Sequence, residues 1–397
     1  MSDDASGAGK RSSGLPPWLY DEKVQSIGFQ IVMVAALVLT FYFLISNTVA
    51  NLEARNITTG LGYLDNEAGF EISDKFVSFS AADDYAQALL VGFLNTLFVA
   101  VISIVLATLI GTVLGVARLS DNWLVAKVAL VWVELVRNVP LLLQLLFWWK
   151  FVTAAFPHPR SMDEAWTGIY LSNRGLNLPI MDTHPIWGWV ALGLLAGVIG
   201  CYMLARYAKQ KQDETGQRPN MTAAYLGMLI GPAFVIWVLG GAPTAVNWPE
   251  LGRFRIEGGA FMSAPMLAMV LGLTIYTSGF IAEIVRSGIQ AVSHGQSEAA
   301  AALGVSKGHA LRLVILPQAL RVIVPPMTSQ YLNITKNSSL GVAIGYQEIA
   351  SITNTTLNQT GQAIEAIGIM MIIYLTISLS TSAFMNWYNA QIKLAER

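Results

Sequence analysis

The chain has 397 residues, of which 54% are hydrophobic and only 12% are charged, and its formal net charge is −1. Because an ordinary soluble domain carries roughly 25% charged residues, this composition excludes a soluble globular protein. The near-neutral charge gives no basic footprint for nucleic acid, so no nucleic-acid partner is expected. The composition predicts an all-α polytopic membrane protein in contact with membrane lipid.

The apolar runs predict about eight transmembrane helices, since a helix needs about 20 apolar residues to cross a bilayer core. Six uncharged runs meet this length, at residues 24–52, 85–117, 183–205, 219–249, 258–282 and 366–392. Two shorter runs, 138–149 and 322–335, are bounded by Arg or Lys. We count both as spans, because charge within a membrane segment normally faces the protein interior or an aqueous cavity.

The distribution of Lys and Arg predicts the orientation of the chain in the membrane. Eight spans place both termini on one side, and 16 of the 24 lysines and arginines fall on that side against 8 on the other. Because Lys and Arg are enriched in cytoplasmic loops, we expect both termini in the cytoplasm. The expected segments are a cytoplasmic tail at 1–27, a first membrane anchor at 28–50, a periplasmic loop at 51–87 and a cytoplasmic tail at 389–397. The loop is acidic and is expected to be mostly solvated surface.

The sequence contains no evident catalytic or metal-binding constellation. The histidines, His158, His184, His294 and His309, are scattered through predicted loops without metal-ligand spacing, so no metal site is expected. Cys201 is the only cysteine and cannot form an intrachain disulfide. A Gly-x-x-x-x-Gly-Lys-Ser/Thr phosphate loop is also missing from the sequence, so the chain is not expected to be an ATPase or another enzyme.

Residues 297–317, which we call the elbow, interrupt the apolar pattern with small and polar residues. Ser297 is a candidate N-cap, Glu298 favours the first turn of a helix, and Ala299 to Ala302 form helix readily. Gly304 should then end this short helix in a left-handed turn. The pattern predicts the first arm of a helix–turn–helix.

The second arm of the elbow should begin after Ser306, a candidate N-cap, and end at Pro317. The small alanines of the first arm would let another protein approach closely, and Glu298 would offer it a charged contact. From capping and spacing alone, a hairpin that packs only on its own loops is an equally open interpretation.

The elbow resembles the EAA loop of ABC importer permeases. The resemblance rests on Glu298-Ala299-Ala300, on Gly304, and on Leu316-Pro317 at the expected distance, whereas Val314 stands where the family favours Ile. The stretches VELVRNVPLLLQLLF (133–147), TIYTSGFIAEIVRSGIQAV (274–292) and LNITKNSSLGVAIGYQEI (332–349) are similar to permeases of the polar amino-acid uptake family.

This resemblance implies a type I importer permease domain over residues 88–388. Its five core helices would lie near 88–117, 134–156, 262–287, 318–337 and 363–388. Residues 157–260 would be an insert of two extra spans between the second and third core helices. That layout is similar to the larger permease subunits of general L-amino-acid importers.

The resemblance also implies a function and partners. The chain would be a permease of the bacterial inner membrane that moves amino acids from periplasm to cytoplasm. Two ATP-binding-cassette ATPase subunits would bind ATP and Mg, so the chain itself would need no cofactor. Other implied partners are a second permease subunit, giving a heterodimer, and a periplasmic amino-acid-binding protein. The residues implied in coupling to the ATPase are Glu298, Ala299, Ala300, Gly304, Leu316 and Pro317.

Five polar residues at or near membrane depth are candidates for the substrate path. They are Glu283, Gln144, Asn333, Lys336 and Asn337. Zwitterionic substrates need both signs of charge, but snorkelling of Lys336 or hydrogen bonding by Gln144 between helices would explain these residues equally simply. An ion-coupled secondary amino-acid transporter is the alternative function. It would require acids near the middle of the spans, whereas Glu283 lies close to the cytoplasmic end of its run.

Overall fold

The structure is a computed structural model that describes residues 22–54, 59–163, 167–216, 219, 221–253 and 255–392. It is mostly helical, as expected. The α-helices are α1 (Glu22–Ala54), α2 (Tyr85–Ala117), α3 (Trp123–Asn138), α4 (Leu141–Ala155), α5 (Ile186–Thr215), α6 (Thr222–Leu239), α7 (Ala264–Gln290), α8 (His294–Ala302), α9 (Lys307–Ala310), α10 (Leu316–Asn337), α11 (Ile349–Thr360) and α12 (Ala363–Ile392). Much of the two predicted tails, residues 1–21 and 393–397, lies outside the described residues.

Among the described residues, seven helical segments are long and apolar enough to cross a membrane, and the bent pair of α3 and α4 brings the number to eight. This agrees with the predicted count. The prediction of a single core helix at 134–156 was wrong, because α3 and α4 meet at an angle of 104°. Val139 takes an extended backbone before Pro140, which is the conformation that a following proline imposes, and this ends α3.

Helix α7 lies at the centre of the core. It packs against α2, α3, α4 and α10, and Met266, Leu273 and Ile281 along it are fully buried. The contact with α2 is close at Gly111, where an added Cβ would lie 2.7 Å from the Ile281 side chain. Helix α7 is therefore held by neighbouring helices on several sides.

Helices α5 and α6 form a tightly packed hairpin beside this core. An added Cβ on Gly197 of α5 would lie 2.5 Å from the Leu229 carbonyl oxygen of α6, so the two backbones approach as closely as small residues permit. Their remaining faces are mostly apolar and exposed, and every described side chain of α1 is exposed. Such surfaces suit contact with lipid.

A group of short strands, which we call the outer sheet module, connects the core with the α5–α6 hairpin. The strands are β1 (Tyr170–Ser172), β2 (Gly175–Leu178), β3 (Ile180–Met181), β4 (Val246–Asn247), β5 (Glu250–Leu251), β6 (Ile256–Glu257) and β7 (Ala260–Ser263). They pair in the orders β1-β2-β7, β3-β4 and β5-β6, all antiparallel. The sequence did not predict these strands, because two to four residues are too few to show a period-2 pattern.

Short non-α helices complete the chain. Turns of 3-10 helix occupy Gly62–Asp65, Pro159–Ser161 and Ser338–Ile344, and a π-helical segment occupies Leu311–Ile315. The 3-10 helix at Ser338–Ile344 and α11 fill the interval between the fourth and fifth expected core helices, to which the sequence assigned no structure.

Candidate functional site

The first arm of the elbow is helix α8. It begins at His294 and not after Ser297, so the prediction that Ser297 is the N-cap was wrong. Ser293 already takes the extended backbone of an N-cap, with φ −54° and ψ 134°, immediately after the turn that ends α7. Ser297 therefore lies within α8, one turn before its end.

The turn of the elbow is centred on Gly304, as predicted. Gly304 has a φ of +72°, in the left-handed region. Its N–H donates to the Ala301 carbonyl at 2.9 Å, and the next N–H, of Val305, donates to the Ala300 carbonyl at 3.0 Å. These paired bonds form a Schellman motif, which satisfies the last carbonyls of α8. A Cβ on Gly304 would meet no atom within 4 Å, so the constraint on this position is backbone conformation rather than space.

The second arm of the elbow does not end at Pro317, contrary to the prediction. Helix α9, the π-helical segment and α10 follow one another without a break, and Pro317 lies in the first turn of α10. The Leu316 N–H reaches back five residues to the Leu311 carbonyl. A proline in an α-helix crowds the carbonyl four residues earlier, and the wider turn that precedes Pro317 offers room to relieve that conflict. The elbow is thus joined directly to a membrane span.

The surface of the elbow is small and mostly exposed. Glu298 and Ala299 face outward, whereas Ala300 is buried, so Ala300 supports α8 from within. Leu303 at the tip is 83% exposed. At the other end of the elbow, Leu316 is exposed and Pro317 is half-buried. The arrangement presents a charged residue, a smooth alanine face and an apolar tip to whatever approaches it.

Glu283 lies in an ion-pair cluster near the elbow end of α7. Its carboxylate accepts from Arg118 at 2.5 Å and from Arg286, one turn later on α7, and Arg137 of α3 lies 3.8 Å away. The Arg118 side chain is only 8% exposed. One carboxylate thus joins the ends of α2, α3 and α7. Arg286 lies on the same helix, whereas Arg118 and Arg137 come from separate parts of the chain, and sequence reasoning paired none of the three with Glu283.

Gln144 is buried beside the bend between α3 and α4. Its side-chain amide donates to the carbonyls of Val136 at 2.8 Å and of Val139 at 3.0 Å. These carbonyls belong to the end of α3, where a helix leaves acceptors without intrahelical partners. The observed hydrogen bonds give Gln144 a structural role at the bend.

The other three predicted path residues lie elsewhere, in the last turns of α10. Asn333 and Lys336 are exposed and Asn337 is half-buried. The predicted path residues are therefore divided among the ion-pair cluster of Glu283, the bend at Gln144 and the last turns of α10.

Sequence analysis did not predict a buried polar network at the end of the core opposite the elbow. Asn95 of α2 donates from its amide to the carbonyls of Asp74 and Gln347, both at 2.8 Å. Glu348, fully buried, accepts from the Tyr374 hydroxyl at 2.7 Å and caps α11. The only signal in the sequence is a polar Asn95-Thr96 pair inside an apolar run.

Asp74 is an exception in the first outer loop, where most of the described residues are exposed as expected. It is buried, and its carboxylate accepts from both the backbone N–H and the hydroxyl of Ser263, the N-cap of α7. Burial raises the pKa of Asp74, and the two hydrogen bonds from Ser263 oppose this rise. The loop is thereby fastened to the first turn of the central helix.

Comparison with known proteins identifies the family. Residues 107–394 match the family of binding-protein-dependent transport system inner membrane components. The chain is 44% identical over 383 residues to a general L-amino acid transport system permease protein of Rhizobium johnstonii, covering 96% of this chain and 95% of that one. It is 40% identical over 429 residues to a glutamate/glutamine/aspartate/asparagine transport system permease protein of Rhodobacter capsulatus, covering both chains fully.

Among solved structures, the chain is similar to a crystal structure of an amino acid ABC transporter with histidines, with a TM-score of 0.46 and 19% identity over 77% of this chain and 95% of that one. The family match and the two full-length relatives confirm the resemblance first seen in the elbow and the flanking motifs. This chain belongs to the family of inner membrane components of binding-protein-dependent transport systems.

Proposed function

We propose that this chain is the permease subunit of an ABC importer that carries amino acids from the periplasm to the cytoplasm. The observation that carries the proposal is the exposed elbow, joined without a break to a membrane span in a member of a binding-protein-dependent transport family. The two full-length relatives are named for L-amino acids and for glutamate, glutamine, aspartate and asparagine, which supports amino acids as the substrate class.

The elbow supplies the contact with one of the two ATPase subunits, which bind ATP and Mg. Glu298 makes the charged contact, Ala299 allows close approach, and Leu303 adds an apolar anchor that the sequence did not single out. Gly304 sets the angle between the arms, and Leu316 and Pro317 join them to α10. A stiff connection is needed, because closure of the ATPases must be converted into movement of membrane helices.

The remaining partners and residues follow from the same proposal. A second, different permease subunit covers part of the exposed apolar surface, and a periplasmic binding protein delivers the substrate. For the substrate path, Glu283, Gln144, Asn333, Lys336 and Asn337 stay candidates. The hydrogen bonds of Gln144 to the end of α3 favour a structural role for that residue. Residues 88–388 form the transport domain and 157–260 its insert.

Purification of the chain from its native membrane tests the function directly. We expect two copies of an ATPase and one copy of a second permease to accompany it, as identified by mass spectrometry. The complex in proteoliposomes should accumulate amino acids only with ATP inside and binding protein outside. Uptake that instead follows an ion gradient without ATP would contradict the proposal and favour a secondary transporter.

Orientation is tested by cysteine labelling in a Cys201→Ala background. The charge bias predicts that residues 157–184 face the periplasm and 207–220 the cytoplasm. Ser161 and Asp213 are both exposed, so a label can reach either position. An impermeant maleimide applied to intact cells with permeable outer membranes should modify Ser161→Cys and spare Asp213→Cys. The reverse pattern would contradict cytoplasmic termini and a periplasmic loop at 51–87.

A further inference from the structure

We propose that the outer sheet module is the surface on which the periplasmic binding protein docks, an inference that rests on the proposed function and orientation. The module contains an open cavity of about 470 Å³ between the β1-β2-β7 sheet and the β5-β6 hairpin. Residues that line it include Arg174, Asn177, Arg255, Glu257 and Phe261. Two arginines and one glutamate give the cavity a positive balance, which suits carboxylates on the docking edge of the partner.

The exposure of the charged groups favours a protein over a free amino acid as the occupant. Arg255 and Glu257 are paired at 3.4 Å, and their side chains are 74% and 64% exposed. A small-molecule site buries about 70–90% of its ligand, which these open side chains cannot achieve. An exposed ion pair contributes little to the stability of the chain while it is solvated. When a protein covers the pair, its charges interact with those of the partner and affect the rate and orientation of docking.

The neighbouring side chains have the composition of a protein interface. Phe261 lines the cavity together with the two arginines, and Trp248 and Met181 are also exposed on the module. Aromatic residues, Met and Arg are enriched in such interfaces relative to the rest of a protein surface. The module thus carries exposed apolar side chains in addition to its charged cavity.

The module is attached to α7, so a protein that docks on the module can act on this helix. Strand β7 runs directly into α7, and the Ala264 N–H in the first turn of α7 donates to the Arg174 carbonyl at 2.8 Å. Asp74 holds the same turn through Ser263. At its other end α7 leads through Ser293 into the elbow. A protein docked on the module therefore presses on the helix that ends at the proposed ATPase contact.

The test measures ATP hydrolysis by the reconstituted complex as a function of binding-protein concentration. We expect the double variant Arg174→Glu with Arg255→Glu to keep the basal hydrolysis rate and to need about tenfold or more binding protein for half-maximal stimulation. The control is Lys209→Glu, an exposed charge reversal on α5 in the segment expected to be cytoplasmic, which should leave stimulation unchanged. Arg174→Gln with Arg255→Gln should show a smaller shift.

The salt dependence of the stimulation is a second test, and it begins with the unmodified complex. In the unmodified complex, the concentration for half-maximal stimulation should rise with added NaCl, and the double reversal should flatten this dependence. Normal stimulation of the double reversal at every concentration, or a salt response equal to that of the unmodified complex, would overturn the docking surface. A lack of stimulation in the unmodified complex would instead count against the proposed function itself.

Discussion

Replacement of Gly304 by Val is expected to leave insertion into the membrane normal while lowering both ATPase recovery and amino-acid uptake. Gly304 holds a φ of +72°, and a β-branched residue enters this region at a cost of about 1–3 kcal/mol. Because a Cβ there would meet no atom within 4 Å, the strain has to be relieved by a change of backbone angle. That change redirects α8 and the contact residue Glu298. Co-purification of the ATPase and uptake in proteoliposomes measure the two losses.

Gly308 offers a matched control for Gly304. It lies in helix α9, four residues later in the same elbow, has no positive φ, and would also place an added Cβ in open space. Gly308→Val should therefore preserve coupling, whereas Glu298→Lys should reduce ATPase recovery by reversing a contact charge without bending the elbow. Full ATPase recovery and uptake by both Gly304→Val and Glu298→Lys would show that the elbow is a passive loop.

Replacement of Glu283 by Gln is expected to lower the thermal stability of the purified complex and its uptake, while the chain still inserts. The change leaves Arg118, Arg137 and Arg286 without their shared carboxylate. Removal of one partner from a fully buried ion pair costs about 3–5 kcal/mol, and the partial exposure of this cluster should reduce the loss to about 1–3 kcal/mol. The melting temperature and the uptake rate give the two readouts.

Two further variants separate the ion-pair role of Glu283 from a path role. Glu134→Gln removes an exposed acid from α3 and should change neither measurement. Arg118→Gln combined with Glu283→Gln should recover part of the lost stability, because it removes a guanidinium that would otherwise be buried without a partner. An unchanged melting temperature in Glu283→Gln, together with a raised KM for amino acid, would assign Glu283 to the substrate path instead.

The sequence predicted the parts of the fold that depend on local chemistry. Gly304 could be placed in a left-handed turn because glycine adopts positive φ at little cost and follows a run of alanines. Six of the spans followed from the length of the apolar runs, and the two shorter runs were added because charge at a membrane segment normally faces the protein interior or a cavity. Both inferences need only neighbours in sequence, and the structure agrees with them.

The features that were missed depend on partners distant in sequence. Arg118 reaches Glu283 across 165 positions, and Asn95 reaches Gln347 across 252. A charged or polar residue in an apolar run shows that a partner is needed without showing which one. The bend at Pro140 had a local signal in Val139-Pro140, but the expectation of one core helix at 134–156 came from the family resemblance and did not use that signal.

The π-helical segment Leu311–Ile315 has a consequence for the direction in which the elbow faces. Such a segment holds one residue more than an α-helical turn, and each residue of an α-helix turns the chain by about 100°. The single additional residue thus rotates everything before it about the long axis of α10. The azimuth of Glu298 around the membrane span consequently depends on this residue count as well as on contacts such as the hydrogen bond from the Gln318 side chain of α10 to the Gln296 side chain of α8.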